Sequence, residues 1–444
     1  MRKAVALLVG LAMLVLVSGV VMAQDDLASV DPSGQTVVYW HQFTGAQAET
    51  MTALIEQFNA TNEYGITIEP IAQGNYNDIR ELMNAAIVSG ELPNIVAAYA
   101  NDSASYFLDG GVVDLTAYVN DPTWGLTADQ LADFNTALLD FNTLSGEPFN
   151  GALVAFPHQA SAQVFIANDT LLEELGFAEV PRTIEDFQAA ACASAQSSTA
   201  EGTPRYGYPI TTDASAFESW VAVQGGSIFD GTNYTLETPE VLAALQLYKD
   251  LYDGGCGYIP AERFSEQTDF ALGLTPFYPS STAGLTFVIA ANNDNGFTGE
   301  WTVNTFPHAE GSEALQVFVP SIAMPPSTPE AQLASWLFLK YLVSPEAAQT
   351  WSEGTGYFNP VLSTAAAMSA DTFPNAELYP YFMVGAELVN NPDIALYNSP
   401  SVPSYGTVRG AISEAIANVT SNGMAVEEAA ATLQQAANDA VSGS

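Results

Sequence analysis

The stretch VVYWHQFTGAQAETMTALIEQFNATN, Val37 to Asn62, decides how the chain is read. An apolar run from Val37 ends on Trp40-His41, and the chain turns at Gly45. Beyond the turn Met51, Leu54, Ile55 and Phe58 recur at helical spacing, so one face of that segment is core. A strand therefore passes directly into a helix. The pattern then repeats. Gly65 to Ile68 reads as a strand, and Asn75 to Ser89 as a helix with Ile79, Leu82, Met83, Ala86 and Ile87 on one face. Gly90 stops that helix, and Pro93 to Tyr99 reads as a buried strand. Such β-α-β-α-β alternation predicts a mostly parallel sheet. Small molecules sit beyond the carboxyl ends of strands in open sheets of this kind. Trp40 and His41, at one such end, are therefore candidate ligand-facing residues.

The alternation continues without a Gly/Ser linker at mid-chain. Ala152 to Asn168 reads as two extended pieces broken by Pro157 and Ser161. Thr183 with Asp186 forms a capping box for the helix IEDFQAAACASA. Thr238-Pro239, Thr328-Pro329 and Ser344-Pro345 each open a further helix by the same device. The C-terminal part, about Val408 to Ala440, is helical and rich in Ala. Two α/β domains crossed several times by the chain suit this order better than two domains in series.

At 444 residues the chain is long enough for two packed domains. Its first 23 residues stand apart: Arg2 and Lys3, then an apolar run, then the small-residue site Val21-Met22-Ala23. These features predict an export signal; an uncleaved membrane anchor is the alternative, because the run approaches spanning length. Without Arg2 and Lys3 the net charge passes from −41 to about −43. Such a surface repels nucleic acid and anionic lipid. Export and an even cysteine count predict one disulfide, Cys192–Cys256, with two buried thiols as the alternative.

In their order these segments resemble the extracellular solute-binding proteins of family 1, the binding components of ABC importers. The blocks that carry the resemblance are VYWHQFTGAQAETMTALIEQFN, GNYNDIRELMNAAIVSGELPNIV, FPHQASAQVFIANDTLLEELGF and LASWLFLKYLVSPEAAQTWSEGTGYFNP. The resemblance runs from about Gln35 to Ala440. It implies a periplasmic-binding-protein type II-like fold: two α/β lobes, a hinge of several crossovers and a ligand cleft between them. The expected division is 25–157 with 285–345 in the first lobe, and 158–284 with 346–444 in the second. The implied role is capture of a small solute and its delivery to a membrane permease. That work is done by a monomer, without enzymatic activity or cofactor, in the periplasm or on the outer face of the envelope.

Within the family the chain looks closest to the glycerol-3-phosphate and glycerophosphodiester branch. By that likeness the ligand residues are Tyr76 of the GNY turn, Ser161, Ser280 or Ser281, Tyr357 of TGY, and Arg409. Tyr99, Trp40 and His41 join them as candidate shelf residues, since aromatic rings stack on sugar faces and phenols bond polyols. Arg409 reads as opening a helix, where a guanidinium and a helix start together suit an anion. Two positions depart from the branch: Ala100 stands where an acidic residue holds glycerol hydroxyls, and Val319 where a Gly is expected.

Trp220, Trp301, Trp336 and Trp351 read as packing. The histidines His41, His158 and His308 lie far apart, with no HxxxH or His-Cys cluster, so no metal site is expected. Asn292 to Gly296, NNDNG, lacks the closing acid of a calcium loop and reads as a turn. No GxSxG, P-loop or GxGxxG occurs. Neutral mono- or oligosaccharide binding is the first alternative to a polyol phosphate. A secreted glycoside hydrolase is the second, and it requires two facing carboxylates that no motif selects.

Overall fold

The computed structural model describes residues 27–443, and the expected export signal lies outside them. In chain order the elements that position the site begin with β1 (Thr36–His41), α1 (Gly45–Thr61), β2 (Thr67–Ala72), α2 (Tyr76–Ser89), β3 (Ile95–Ala98) and α3 (Ala100–Leu108). Next come β4 (Phe156–Pro157), β5 (Ser161–Asn168), α4 (Ile184–Ala195), α5 (Ala214–Ala222), α6 (Pro239–Asp253), β6 (Phe277–Ser281) and α7 (Leu285–Asp294). Then follow β7 (Trp301–Asn304), β8 (Ala314–Phe318), β9 (Ser321–Ala323), α8 (Pro329–Leu342) and α9 (Pro345–Thr355). The last are α10 (Leu378–Asn390), β10 (Ala395–Tyr397), α11 (Tyr405–Val419) and α12 (Val426–Gly443).

These strands form two five-stranded sheets. The first has the order β2-β1-β3-β9-β4; β1 is parallel to β2 and β3, while β9 runs antiparallel to β3 and β4. The second has the order β6-β5-β8-β10, with β7 also on β5. There β5 is antiparallel to β6, β7 and β8, and only β8–β10 is parallel. The parallel expectation thus holds for the opening β-α-β-α-β unit and not for the second sheet.

Each sheet has its own core. Val37, Tyr39, Ile68 and Ile95 pack under Trp336, Phe338 and Leu339 of α8. Strand β5 is buried along its whole length because both of its faces are covered. Phe165 and Ala167 face a core shared with Trp220, Phe187 and Ile412; Val164 and Ile166 face another with Leu285, Ile289 and Phe382.

The helix starts follow their capping residues. Asn75 accepts from the backbone N–H groups of Asn77 (2.8 Å) and Asp78 (3.4 Å), and the Asp78 carboxylate accepts from the Asn75 N–H (2.8 Å). Asn75 is therefore the cap of α2, and Gly90 ends that helix in the left-handed region. Thr238, Thr328 and Ser344 cap α6, α8 and α9 ahead of a first-turn proline. Each such cap contributes about 1 kcal/mol. The Cys192–Cys256 disulfide ties α4 to the turn after α6.

Three expectations need correction. Residues 285–318, expected in the first lobe, contribute α7, β7 and β8 to the second sheet and its packing, while residues 346–361 bring Ala347, Ala348, Trp351, Tyr357 and Val361 into the first core. The chain crosses between β4 and β5, again between β8 and β9, and a third time beyond Tyr357. The first two crossings are short extended pieces, while the third runs through a 3-10 helix, Leu362–Ala366, and the turns after it. The expected helix from Val408 begins earlier, at Tyr405, and the helical region breaks between Val419 and Val426. Finally, α7 continues through Asp294, so only Asn295-Gly296 forms the turn expected over NNDNG.

Candidate functional site

One wall of the space between the sheets is built of tyrosines. Tyr76 opens α2 and Tyr99 is the last residue before α3. Their rings lie 4.7 Å apart. Tyr357 follows Gly356, whose left-handed φ of +76° ends α9 and turns the chain; a Cβ there would lie 2.9 Å from the Thr282 carbonyl. Trp351 stacks on Tyr357 at 5.9 Å. Burial is the main reason that Tyr76, Tyr99 and Tyr357 resist ionisation; neighbouring phenols, Tyr39 among them, add to it for Tyr76 and Tyr357, while for Tyr99 Arg409 opposes it and Asp213 and Asp102 add to it. The hydroxyls of Tyr39 and Tyr76 are buried without a hydrogen-bond partner, as are both amide atoms of Gln42, one residue past the carboxyl end of β1. Buried polar atoms left in this state cost about 1–3 kcal/mol each, which a ligand hydroxyl would recover.

Arg409 faces that wall from the other lobe: Tyr99 feels the charges of Arg409 and Asp213. The arginine is part of α11 and lies one turn in from its start at Tyr405, so it does not open the helix as expected. Ser404, supplied by the Pro403-Ser404 turn, is the cap. The guanidinium is held firmly. Its Nη1 donates to Ser215 Oγ (3.0 Å) and to the Tyr405 hydroxyl (3.2 Å), and its Nη2 to Asp213 (3.1 Å). The side chain keeps 27% of its surface accessible, so part of its donor edge stays open. Against the pull of burial, Arg409 and Ser215 hold the Asp213 carboxyl below its ordinary value.

Behind Arg409 lies a buried polar chain. The Tyr405 hydroxyl donates to Glu218, which also accepts from Gln316 Nε2 (3.2 Å) and Ser399 Oγ (3.1 Å). Glu218 is 4% exposed, and burial lifts its carboxyl to about 7.

The two lobes touch at both rims of this space. Gln47 of α1 donates to the Ala283 carbonyl (3.1 Å), and Phe287 approaches Gly45. At the other rim Arg80 of α2 pairs with Asp102 of α3 (2.6 Å), and the pair abuts Gly406 of α11. Asp102 is 4% exposed; burial raises its pKa, against the opposing effect of Arg80 and Arg409.

Among the sequence candidates the structure gathers Tyr76, Tyr99, Tyr357 and Arg409. His41 reaches the group indirectly, through Tyr39, with ring centroids 5.4 Å apart, and through Phe43 and Trp351; it is buried, stacks on Phe43, and its Nδ1 accepts the Phe43 N–H. Burial lowers its pKa. Trp40 packs against the first core. Ser161 is buried at the start of β5, beside the crossover where Ala160 and Phe358 exchange backbone bonds of 2.7 and 2.8 Å. Ser281 caps the turn before α7 by accepting the Gly284 N–H, and Ser280 lies against Gly284. Of the two departures, Val319 fills a small apolar cluster at the hinge with Ala160 and Leu138. Ala100 opens α3, two residues before the buried Asp102.

Sequence reasoning missed Tyr39, Gln42, Arg80, Asp102, Asp213, Glu218 and Tyr405. Two of these had a readable signal: Tyr405 and Arg409 are spaced i, i+4 on one helix, and Asp213-Ala214-Ser215 has the pattern of a helix cap.

The family model of the bacterial extracellular solute-binding proteins matches residues 53–380. A sn-glycerol-3-phosphate-binding periplasmic protein of Yersinia pseudotuberculosis is 23% identical over 340 residues, 74% of either chain. Two solved structures have a similar fold. The GacH receptor of Streptomyces glaucescens, studied unliganded and with acarbose, gives a TM-score of 0.75 at 18% identity, covering 91% of this chain and 98% of the other. UgpB of Mycobacterium tuberculosis in complex with glycerophosphocholine gives 0.73 at 17%, covering 92% and 99%. The chain therefore belongs to the bacterial extracellular solute-binding proteins, and its two-lobed α/β architecture is theirs.

Proposed function

We propose that the chain is the exported substrate-binding component of an ABC importer, and that it captures a polyol phosphate between its lobes, with glycerol 3-phosphate or a glycerophosphodiester favoured. The observation that carries this reading is a pairing across the cleft. Tyr99 feels the charge of Arg409, whose side chain stays partly accessible, and beside Tyr99, with ring centroids 4.7 Å apart, lies Tyr76 with an unpartnered buried hydroxyl. Phenols suit the hydroxyls of a polyol, and a guanidinium with free N–H groups suits a phosphate. Ser161 and Ser280 or Ser281, from the crossover and the end of β6, complete the proposed contact set. Closure about the crossings would bury the ligand and present one shape to a permease. The role is binding rather than catalysis. The carboxylates nearest the tyrosines are each tied to a donor: Asp102 to Arg80, Asp213 to Arg409, Glu218 to Tyr405.

One observation favours a second reading, a neutral mono- or oligosaccharide. Arg409 already answers Asp213, Ser215 and Tyr405, while Trp351 and Tyr357 form a stacked aromatic pair of the kind that sugar faces use. Thermal melting of the protein without its leader, against glycerol 3-phosphate, glycerophosphocholine and neutral sugars, separates the two. Ligand at 100 times its dissociation constant adds about 2.7 kcal/mol of stability. A shift with phosphates that is lost in Arg409→Ala supports the first reading; a shift with neutral sugars alone replaces it by the second.

A further inference from the structure

Glu218 does not line the cleft, yet it is wired to the residue that would hold the anion. The Tyr405 hydroxyl accepts from Arg409 Nη1 and donates to Glu218, so the carboxylate fixes the direction of that phenol and with it the guanidinium. Gln316 Nε2 donates to both Glu218 and Ser399, and Ser399 Oγ lies 3.0 Å from the Tyr405 oxygen. A serine hydroxyl accepts as readily as it donates, so this shell accommodates either protonation state of Glu218.

The charged groups around Glu218 are few. Arg409 of α11 and Asp213 at the cap of α5 act on it. Tyr405, Tyr234 and Tyr397 face it as phenols, and Gln316 of β8 and Ser399 as neutral donors. With Asp213 and Glu218 both ionised, one guanidinium answers two carboxylates and the anion position carries net negative charge. With Glu218 protonated, that position is neutral and Arg409 has charge to give.

We propose that Glu218 is a positioning residue acting on Arg409 through Tyr405, and that it takes up a proton when an anionic ligand binds, so that the site is an anion site below neutral pH and loses that character above it. The inference rests on the phosphate reading. The buried carboxyl already titrates near 7, and a phosphate arriving beside Arg409 pushes its proton affinity further up.

The probe is glycerophosphocholine, a phosphodiester whose own charge does not change near neutrality. Isothermal calorimetry between about pH 6 and about pH 8.5 should show affinity falling roughly tenfold, as it does when a bound anion raises the proton affinity of one carboxyl by the same factor. Near pH 7, buffers of different ionisation enthalpy should report net proton uptake on binding. Glu218→Gln should bind with a flat pH profile and no proton uptake. Glu218→Ala, which lets the Tyr405 hydroxyl turn, should also be flat but weaker than Glu218→Gln at every pH. Wild-type binding that is indifferent to pH and takes up no proton overturns this inference alone, and needs no variant to fold. No binding of the phosphodiester at any pH overturns the phosphate reading and this inference with it.

Discussion

Gly406 tests whether the lobes close by the contact described. It is the second residue of α11, and the Arg80–Asp102 pair of the opposite lobe rests on it. A Cβ at this position would lie 3.3 Å from Arg80 Nε, 3.4 Å from its Cζ and 3.6 Å from Asp102 Oδ1. Gly406→Ala therefore asks the pair to retreat by a few tenths of an ångström, and its 2.6 Å bond keeps Arg80 from swinging away freely. A distortion of that size costs about 1 kcal/mol. Gly406→Leu fills the contact and costs more.

The cost falls only on the closed arrangement, because nothing within either lobe is touched. Apparent affinity should drop about fivefold in Gly406→Ala and more than tenfold in Gly406→Leu, since the binding-competent state becomes rarer. Unliganded stability should move the other way. Alanine in a helix gains up to about 1 kcal/mol over glycine, which in a chain of this size is worth only about 1–2 °C. Calorimetric titration of the most tightly bound ligand, alongside scanning calorimetry of the free protein, reads both. Unchanged affinity in Gly406→Leu would refute the reasoning: the contact would then have no part in closure. A fall in unliganded melting temperature that tracks the affinity loss would refute it as well, by placing the damage in the fold.

Tyr76→Phe should weaken phosphate or sugar binding about tenfold, one hydrogen bond's worth, while leaving the free protein at least as stable as before, because the buried Tyr76 hydroxyl has no partner to lose and its removal lifts a desolvation cost; titration and melting of the same sample check both halves. Arg80→Met should cost about 3 kcal/mol in urea unfolding, since it strands the buried Asp102 carboxylate. The Glu218 carboxyl is raised from 4.5 to about 7 in the fold, so its contribution is fully present below about pH 4.5 and is lost as pH rises through 7. That loss amounts to about 3 kcal/mol, and the stability–pH curve of Glu218→Gln should lack it. Replacing Cys192 and Cys256 together by Ser should destabilise by about 4 kcal/mol on the chain-entropy argument for a 64-residue separation, read by denaturant unfolding under non-reducing conditions.

The opening unit was legible because each signal in it is local. Apolar periodicity set the buried faces of α1 and α2, and side-chain caps set the helix starts at Asn75, Thr183, Thr238, Thr328 and Ser344. Strand direction in the second sheet was not local. β5 is uniformly buried, and its partners β6, β7 and β8 arrive from more than a hundred residues away. A run such as Ala162 to Ala167 carries no trace of which way a neighbour runs. The lobe boundaries failed for the same reason. The crossings at Gln159-Ala160 and Val319-Pro320 are backbone joints inside continuously buried stretches, and what seals them, the Ala160–Phe358 bridge and the Val319 cluster, is tertiary.

The site divides in the same way. Tyr76, Tyr357 and Arg409 stood out by resemblance, whereas the residues that give them chemical character did not. An aspartate and a glutamate among 50 acidic side chains are invisible singly. Asp213 and Glu218 matter because α5 carries them to Arg409, and the arginine is one of very few cations in the chain. The surplus of negative charge acts over the Debye length of about 8 Å and beyond that is screened. The lobe interface answers it with Arg80 and Arg409, each bound to a carboxylate. Neither arginine is thus a bare cation waiting for an anion. On the phosphate reading, the charge that a ligand meets is set by the partners behind the guanidinium, and a single proton on Glu218 is enough to bring it from net negative to neutral. In a chain this acidic, the protonation of one buried carboxylate therefore has more leverage over anion capture than any exposed lysine would have.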